Sequence, residues 1–539
     1  MIKNYFKTAF RNLRKNKAFS LINVSGLSIG ISSALVIYLI VSYDFSFDKF
    51  EKDKDRIYRV VSNFTFSGEA YHNSGATYPM AKALKNEATG IELVVPISTW
   101  GEGSKVSIPG STKDPVVFKK QEHAVFADEN YFKLMAYQWL AGSAASSLNQ
   151  PYQVVLTASN AALYFPKMKP ADVIGKEVIF NDTVRTRVTG VVKDLDENTD
   201  FIFKTFVSKA TQETHLMSPE EQNEWGNTNS AWQLLVKLAP GTSKAQVEKQ
   251  VLGLYTKHHK KDPDDNSTTS YALQPLSDMH FNTEYGTFDG ARTAHLPTLY
   301  GLLAVAIFLL LLGCINFINL TTAQASQRAK EIGIRKTMGS TRQQLIFQFL
   351  SETFLLTLFA TILSILITPL LLKVFSDFIP EGLHYSLSLE IVAFLVLLII
   401  LVSILSGFYP ALVLSSYKPV AVLKNQSGTN TGKTRNIWMR KTLTVSQFVI
   451  AQVFIIGTLL VSKQISFTLN KDLGFKKDAV LYFSTNYYDT AASHKLVLME
   501  KLKSIPEIAM ISTSNGPPSI NNVWTSTMKY KDGKKEIQT

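Results

Sequence analysis

Charge disappears from this chain in five long windows. No Asp, Glu, Lys or Arg lies between Lys17 and Asp44, Arg292 and Arg328, Glu352 and Lys373, Glu390 and Lys418, or Lys441 and Lys463. A helix needs about 20 apolar residues to cross a hydrocarbon core, and each window is long enough. The run LLAVAIFLLLL at 302–312 has no polar stripe, as befits a helix surrounded by lipid or by other helices. The windows predict membrane spans at 20–43, about 298–320, 353–372, 391–416 and 442–462. Between the first two spans the pattern changes. DRIYRVVSNFTF (55–66), YQVVLT (152–157) and RTRVTGVVKDL (185–195) alternate and are β-branched, the period of strands. TYPMAKALKNE (77–87) and SKAQVEKQVLGLYTKHH (243–259) have helical spacing, while GSTKDP (110–115) and DPDDNSTTS (262–270) read as surface loops. The predicted class is a polytopic α-helical membrane protein with a large α+β extracytoplasmic domain.

The placement of charge sets the topology. A formal charge of +13 would suit nucleic acid, but the basic residues crowd beside the spans, so no nucleic-acid partner is expected. Lys3, Lys7, Arg11, Arg14, Lys15 and Lys17 precede the first span. Arg328, Lys330, Arg335, Lys336 and Arg342 follow the second, and Lys418, Lys424, Lys433, Arg435, Arg440 and Lys441 follow the fourth. The positive-inside bias puts all three groups in the cytoplasm. The expected organisation is a cytoplasmic basic N-terminus (1–19), span 1 (20–43), an extracytoplasmic domain (44–296) and a unit with spans 2–4 (297–417). A basic cytoplasmic linker (418–441), span 5 (442–462) and the start of a second extracytoplasmic domain (463–539) follow. A cleaved signal peptide has a shorter apolar core, about 7–15 residues, with an A-x-A-like site after it. Here SYDFSFDKF follows span 1, and an uncleaved anchor is expected. The chain then lies in the cell inner membrane, multi-pass, in contact with lipid. Its single cysteine, Cys314, is mid-span, which leaves no disulfide framework and no Cys-based metal site.

Several motifs resemble chemistry. Gly26-Leu27-Ser28-Ile29-Gly30 fits a G-x-S-x-G nucleophile elbow, which needs a strained strand-to-helix turn. Inside a span the same residues form G-x-x-x-G, extended by Ser33, a face for close helix packing. Gly432-Lys433-Thr434 ends like a P-loop, but Ser427 stands where the first glycine belongs. DPDDNS from Asp262 lacks the glycine and distal glutamate of a calcium loop, and His258-His259 lies in KHHKK, a solvated pattern. The spans lack the ionisable residues an intramembrane enzyme would need. No catalytic, cofactor-binding or metal residue is expected in this chain.

The most informative stretch is QASQRAKEIGIRKTMGSTRQQLIFQFLSET, 324–353, which joins spans 2 and 3. It predicts a short charged helix, a break at Gly339-Ser340-Thr341, and a second helix running into span 3. Glu331 and Arg335 stand at i, i+4, and Ile332 and Ile334 leave an apolar edge between charges. Physics alone allows a partner-docking surface or an amphipathic linker. The pattern S-x-R-x-x-E-I-G-I-x-K-x-x-G (Ser326 to Gly339), then Phe349, Leu350 and Glu352, resembles the FtsX-like permease domain of MacB/LolC-type ABC transporters. GFYPALVLSSYKP (407–419) continues the likeness. VFADENYFKLMAYQWLAGS (125–143), VVLTASNAALYF (154–165), IGKEV (174–178) and VTGVVKDLDENTDFIF (188–203) resemble the MacB-like periplasmic core domain.

The resemblance implies a non-catalytic permease subunit of an ABC transporter, coupling ATP hydrolysis by a separate ATPase to movement of the extracytoplasmic domain. ATP and Mg would sit on that partner chain. It implies that Arg328, Glu331, Ile332, Gly333, Arg335, Lys336 and Gly339 form the ATPase-coupling helix. An export role implies a periplasmic adaptor or outer-membrane conduit as a further partner. The alternative is an FtsX-like regulatory or sensory membrane protein controlling a cell-envelope partner. MacB carries a fused ATPase domain, and no ATP motif stands in this chain. A weak internal repeat sets Lys17 beside Lys441, Asp48 beside Asp472 and Tyr58 beside Tyr482. It suggests a C-terminally truncated version of a longer two-repeat protein.

Overall fold

The computed structural model describes residues 10–11, 15, 17–66, 68–100, 103–110, 114–260, 267–288, 291–416, 432–474, 480–483, 492–514, 516–517, 529–532 and 535–538. Six helices organise the apolar part: α1 (Lys17–Asp44), α2 (Leu296–Ala323), α3 (Ala325–Thr337), α4 (Arg342–Val374), α5 (Leu389–Ser415) and α6 (Gly432–Asn470). All but α3 are long and apolar enough to cross a membrane, α6 through its portion Lys441–Asn470. Most of the basic N-terminus, and 417–431 of the expected linker, lie outside the described residues.

Two expected boundaries move. The stretch 432–441, read as linker, is the first part of α6, and the same helix runs beyond 462 to Asn470. Hydropathy marks where lipid ends, whereas a helix ends where its backbone is broken, and no proline occurs between 432 and 470. The chain also divides into compact units at Ile456/Gly457, within that helix, rather than at 463. The second unit contains a helix, Ala492–Lys503, and a hairpin of Lys529–Asp532 with Lys535–Gln538.

In the first unit α1 is the most enclosed of the membrane helices. Its small residues let α2 approach. A Cβ on Gly30 would lie 3.2 Å from the Leu309 carbonyl oxygen, and one on Gly26 would lie 3.4 Å from Asn316 Nδ2. Ser33 is half-buried on the next turn. Close backbone contact of this kind provides the van der Waals attraction that holds helices together in lipid. Ser28 sits mid-helix with its Oγ donating to the Ser25 carbonyl at 2.9 Å, so the G-x-S-x-G residues build a packing face and no elbow.

The α+β domain hangs between α1 and α2 on one thirteen-stranded sheet. Its first half is antiparallel, with Thr268–Pro275 beside Ile57–Phe66, then Trp232–Leu238, Ile91–Thr99 and Ala124–Ala127. Thr205–Ser208 lies parallel to Ala124–Ala127 and leads into Gln153–Thr157, Val184–Val192, Glu177–Phe180, Ser104–Ile108 and the edge strand Val116–Gln121. Alternation explains the strands directly: Val184, Thr186 and Val188 are buried while Arg185 and Arg187 face solvent. The helix Lys244–His258 buries Val247, Val251 and Leu254, one stripe at i, i+4, i+7, against Met80, Leu84 and Leu273.

Candidate functional site

The helix α3 closes the end of the bundle where α1 begins. Local chemistry defines both of its C-terminal features. Ser340 N–H donates to the Arg335 carbonyl at 3.0 Å and Gly339 N–H to that of Lys336 at 3.1 Å, the paired bonds of a Schellman stop. Gly339 has φ +94°, where a side chain would be strained. Two residues later Thr341 and Gln344 form a capping box that starts α4.

The side chains of α3 divide into two sets. One set turns inward. Arg328 pairs with Glu352 of α4 at 3.0 Å, both nearly buried, and its guanidinium lies 5.5 Å from the Phe19 ring of α1. Ile332 is 2% exposed and packs with Leu345, Phe349, Ala411 and Leu414. Gly333 is buried beside it. Lys336 Nζ donates to the Ser415 carbonyl at 2.6 Å, and Arg342 Nε reaches the Ser415 hydroxyl at 3.5 Å. These cations meet the carbonyl end of α5, where the helix dipole and unsatisfied C=O groups favour positive charge.

The other set turns outward. Glu331 and Arg335 form an i, i+4 ion pair on the surface. Ile334 is exposed beside them, and Met338 is 81% exposed. The docking surface expected from Arg328, Glu331, Ile332, Arg335 and Lys336 is therefore corrected. Arg328, Ile332 and Gly333 anchor α3 from behind, Lys336 braces α5, and among the described residues the outward face includes Glu331, Ile334, Arg335 and Met338. Helical geometry requires that split, since Arg328, Ile332 and Lys336 recur every four residues on one face. Among the described residues no group of three or more His, Cys, Asp and Glu is placed to hold a metal ion.

At the other end of α1, a polar knot joins membrane helices to domain. Asp44, the last residue of α1, is fully buried. Arg292 grips it side-on, Nη2 to Oδ2 at 2.7 Å and Nε to Oδ1 at 3.1 Å. His280 reaches Asp44 Oδ1 at 3.5 Å through Nε2 and Asp200 Oδ1 at 2.8 Å through Nδ1. Burial works against a charged His280, but its bonds to Asp200 and Asp44 outweigh that and push the ring up to about 9. Burial and the neighbouring Asp200 charge push Asp48 up to about 7, against the hydrogen bond donated by Thr199. Sequence reasoning passed over this knot, although Asp44 and Arg292 were visible as the opposite charges that bound the first two windows.

Residues 20–254 match the family model of the MacB-like periplasmic core domain, and residues 303–419 that of the FtsX-like permease C-terminal region. The chain therefore carries a MacB-like periplasmic core domain and an FtsX-like permease region. Neither model describes an ATPase domain. The permease is 26% identical over 307 residues to the macrolide export ATP-binding/permease protein MacB of Haemophilus ducreyi, a match covering 55% of this chain and 39% of that protein. It is 40% identical over 76 residues to the uncharacterized ABC transporter permease YknZ of Bacillus subtilis, covering 14% of this chain and 19% of that one. The permease thus spans about two fifths of the length of its MacB relative. A crystal structure of a domain of a putative permease protein from Porphyromonas gingivalis covers 48% of this chain and all of its own, with 20% identity and a TM-score of 0.36. The permease is a multi-pass membrane protein with a periplasmic domain.

Proposed function

We propose that this permease couples a separate cytoplasmic ATPase to movement of its periplasmic domain, with no substrate passing between its helices. The observation that carries the reading is the division of α3: an exposed face of Glu331, Ile334, Arg335 and Met338, held from behind by contacts to three membrane helices. A partner pressing on the free face displaces α3, and the buried Arg328–Glu352 pair and Ile332 pass the displacement to α1, α4 and α5. Helices transmit it because their backbone hydrogen bonds are internal and cannot be exchanged for water bonds in lipid. ATP and Mg sit on the partner, the N-terminus and α3 lie in the cytoplasm, and the membrane is the inner one. The basic residues around α3 support that orientation. Function as an exporter fits the name of the MacB relative, and a periplasmic adaptor or outer-membrane conduit would be its further partner.

Affinity purification of the membrane-extracted chain, with mass spectrometry and an ATPase assay, tests this. Co-purification of a soluble ATPase is expected. Isolation of a stable periplasmic binding protein with no ATPase would contradict the reading and favour a regulatory role.

A further inference from the structure

We propose that Asp44 is the coupling residue of the permease, a buried carboxylate that locks the end of α1, the lead-in to α2 and the periplasmic domain into one moving body. The coupling part of this inference rests on the function proposed above; the locking part does not.

The domain is joined covalently to the membrane helices at two places, the exit from α1 after Asp44 and the approach to α2 before Leu296. Two single-stranded joints transmit position but leave the domain free to swivel. Both joints converge on Asp44. Arg292, just before α2, holds both of its oxygens, the bidentate arrangement that fixes orientation as well as distance. His280 links the same carboxylate to Asp200 in the domain, and its carbonyl accepts from Ala294 N–H at 2.8 Å, again next to α2.

The residues after Asp44 are tied into the same knot. The Phe47 ring stacks on His280 with centroids 3.7 Å apart. Ser46 Oγ accepts from Asn198 Nδ2 at 2.7 Å, and Asp48 N–H donates to the Asn198 carbonyl at 3.0 Å. Tyr43, one residue earlier, donates its hydroxyl to the Glu381 carbonyl at 2.9 Å in the connection between α4 and α5. Asp44 is thus the point where α1, the α2 lead-in and the domain share one charge, with the α4–α5 connection bonded alongside. Without Arg292 the buried Asp44 charge would be left to His280, which Asp200 shares, and the side-on grip that fixes the orientation of the joint would be lost.

The test uses the full-length chain in nanodiscs, in a Cys314→Ser background, with spin labels on Tyr300→Cys of α2 and Lys249→Cys of the domain. Pulsed electron–electron resonance on the chain alone should give a narrow distance distribution. Asp44→Asn and Arg292→Gln should each broaden it by about twofold or more, with Arg292→Lys intermediate because it keeps charge and loses the side-on grip. Arg292 is partly exposed, so its variants keep the test open should Asp44→Asn not fold. In the complex with its co-purified ATPase, ATP with vanadate should shift the distance in the parent. In Asp44→Asn the shift should vanish while ATP hydrolysis stays within about twofold. A merely structural role would lower the melting temperature without separating hydrolysis from movement. Unchanged widths in Asp44→Asn and Arg292→Gln, or a parental shift in the Asp44→Asn complex, would overturn the proposal. A parent complex that hydrolyses ATP with no distance change would overturn instead the function on which the coupling part rests.

Discussion

Among the described residues Arg328 and Glu352 are charges that the bundle buries at its α3 end, and they stabilise it only together. Moving either out of water is expensive, and the 3.0 Å contact offsets this by mutual attraction at low dielectric. Arg328→Ala or Glu352→Ala leaves the partner unpaired and should cost about 3–5 kcal/mol. Denaturant or thermal unfolding in detergent measures this, and the double variant Arg328→Met/Glu352→Leu should recover most of the loss. Gly30 is constrained differently. With the Leu309 carbonyl oxygen 3.2 Å from where a Cβ would stand, Gly30→Leu must push backbone from backbone, and about 1–3 kcal/mol should be lost in the same assay.

At the scale of elements, α3 and the α1 exit loop each give a prediction. Ile334 and Met338 are exposed, so Ile334→Asp with Met338→Asp should leave the melting temperature within about 2 °C while weakening ATPase retention at least about tenfold. Ile332→Asp, at a buried position, should instead unfold the α3 end. The exit loop predicts a pH dependence. Folding raises Asp48 and Glu51 to about 7, chiefly by burial, and raises His280 to about 9 through Asp200 and Asp44. At these three groups the folded state therefore holds more protons than the unfolded one between about pH 4 and 9, so the stability they contribute falls as pH rises through that range. The His280 share is complete below about 6.5 and lost towards 9. The melting temperature of the domain should be higher at pH 5 than at pH 8.5, and Asp48→Asn should flatten the lower part of the slope.

The same elements show why only part of the structure was legible in the sequence. Spans and strands could be read because burial leaves a periodic mark: charge-free windows for α1, α2, α4 and α5, and alternation for Val184–Val192. The start of α6 was missed because its first turns are basic, and charge says nothing about whether a backbone stays helical. Within α3 the residue types were visible but their directions were not. Arg328 and Lys336 look like surface charges until Glu352 and the carbonyl end of α5 arrive from elsewhere in the chain. The Asp44 knot joins residues more than 200 positions apart, and nothing local announces it.

For the whole molecule, the two ends of α1 explain how a motion could cross the bilayer. One end is bound to α3 through Phe19 and Arg328, the other to the periplasmic domain through Asp44, and α2 lies along it with its backbone close to Gly30. A rigid helix held at both ends passes displacement from one side to the other. The most direct test is site-specific photocrosslinking in intact cells, with p-benzoylphenylalanine in place of Met338. An adduct with a cytoplasmic ATPase, absent when the probe stands at Lys249 in the periplasmic domain, is the predicted result. No adduct at Met338, or an adduct there with a periplasmic protein, would contradict the account.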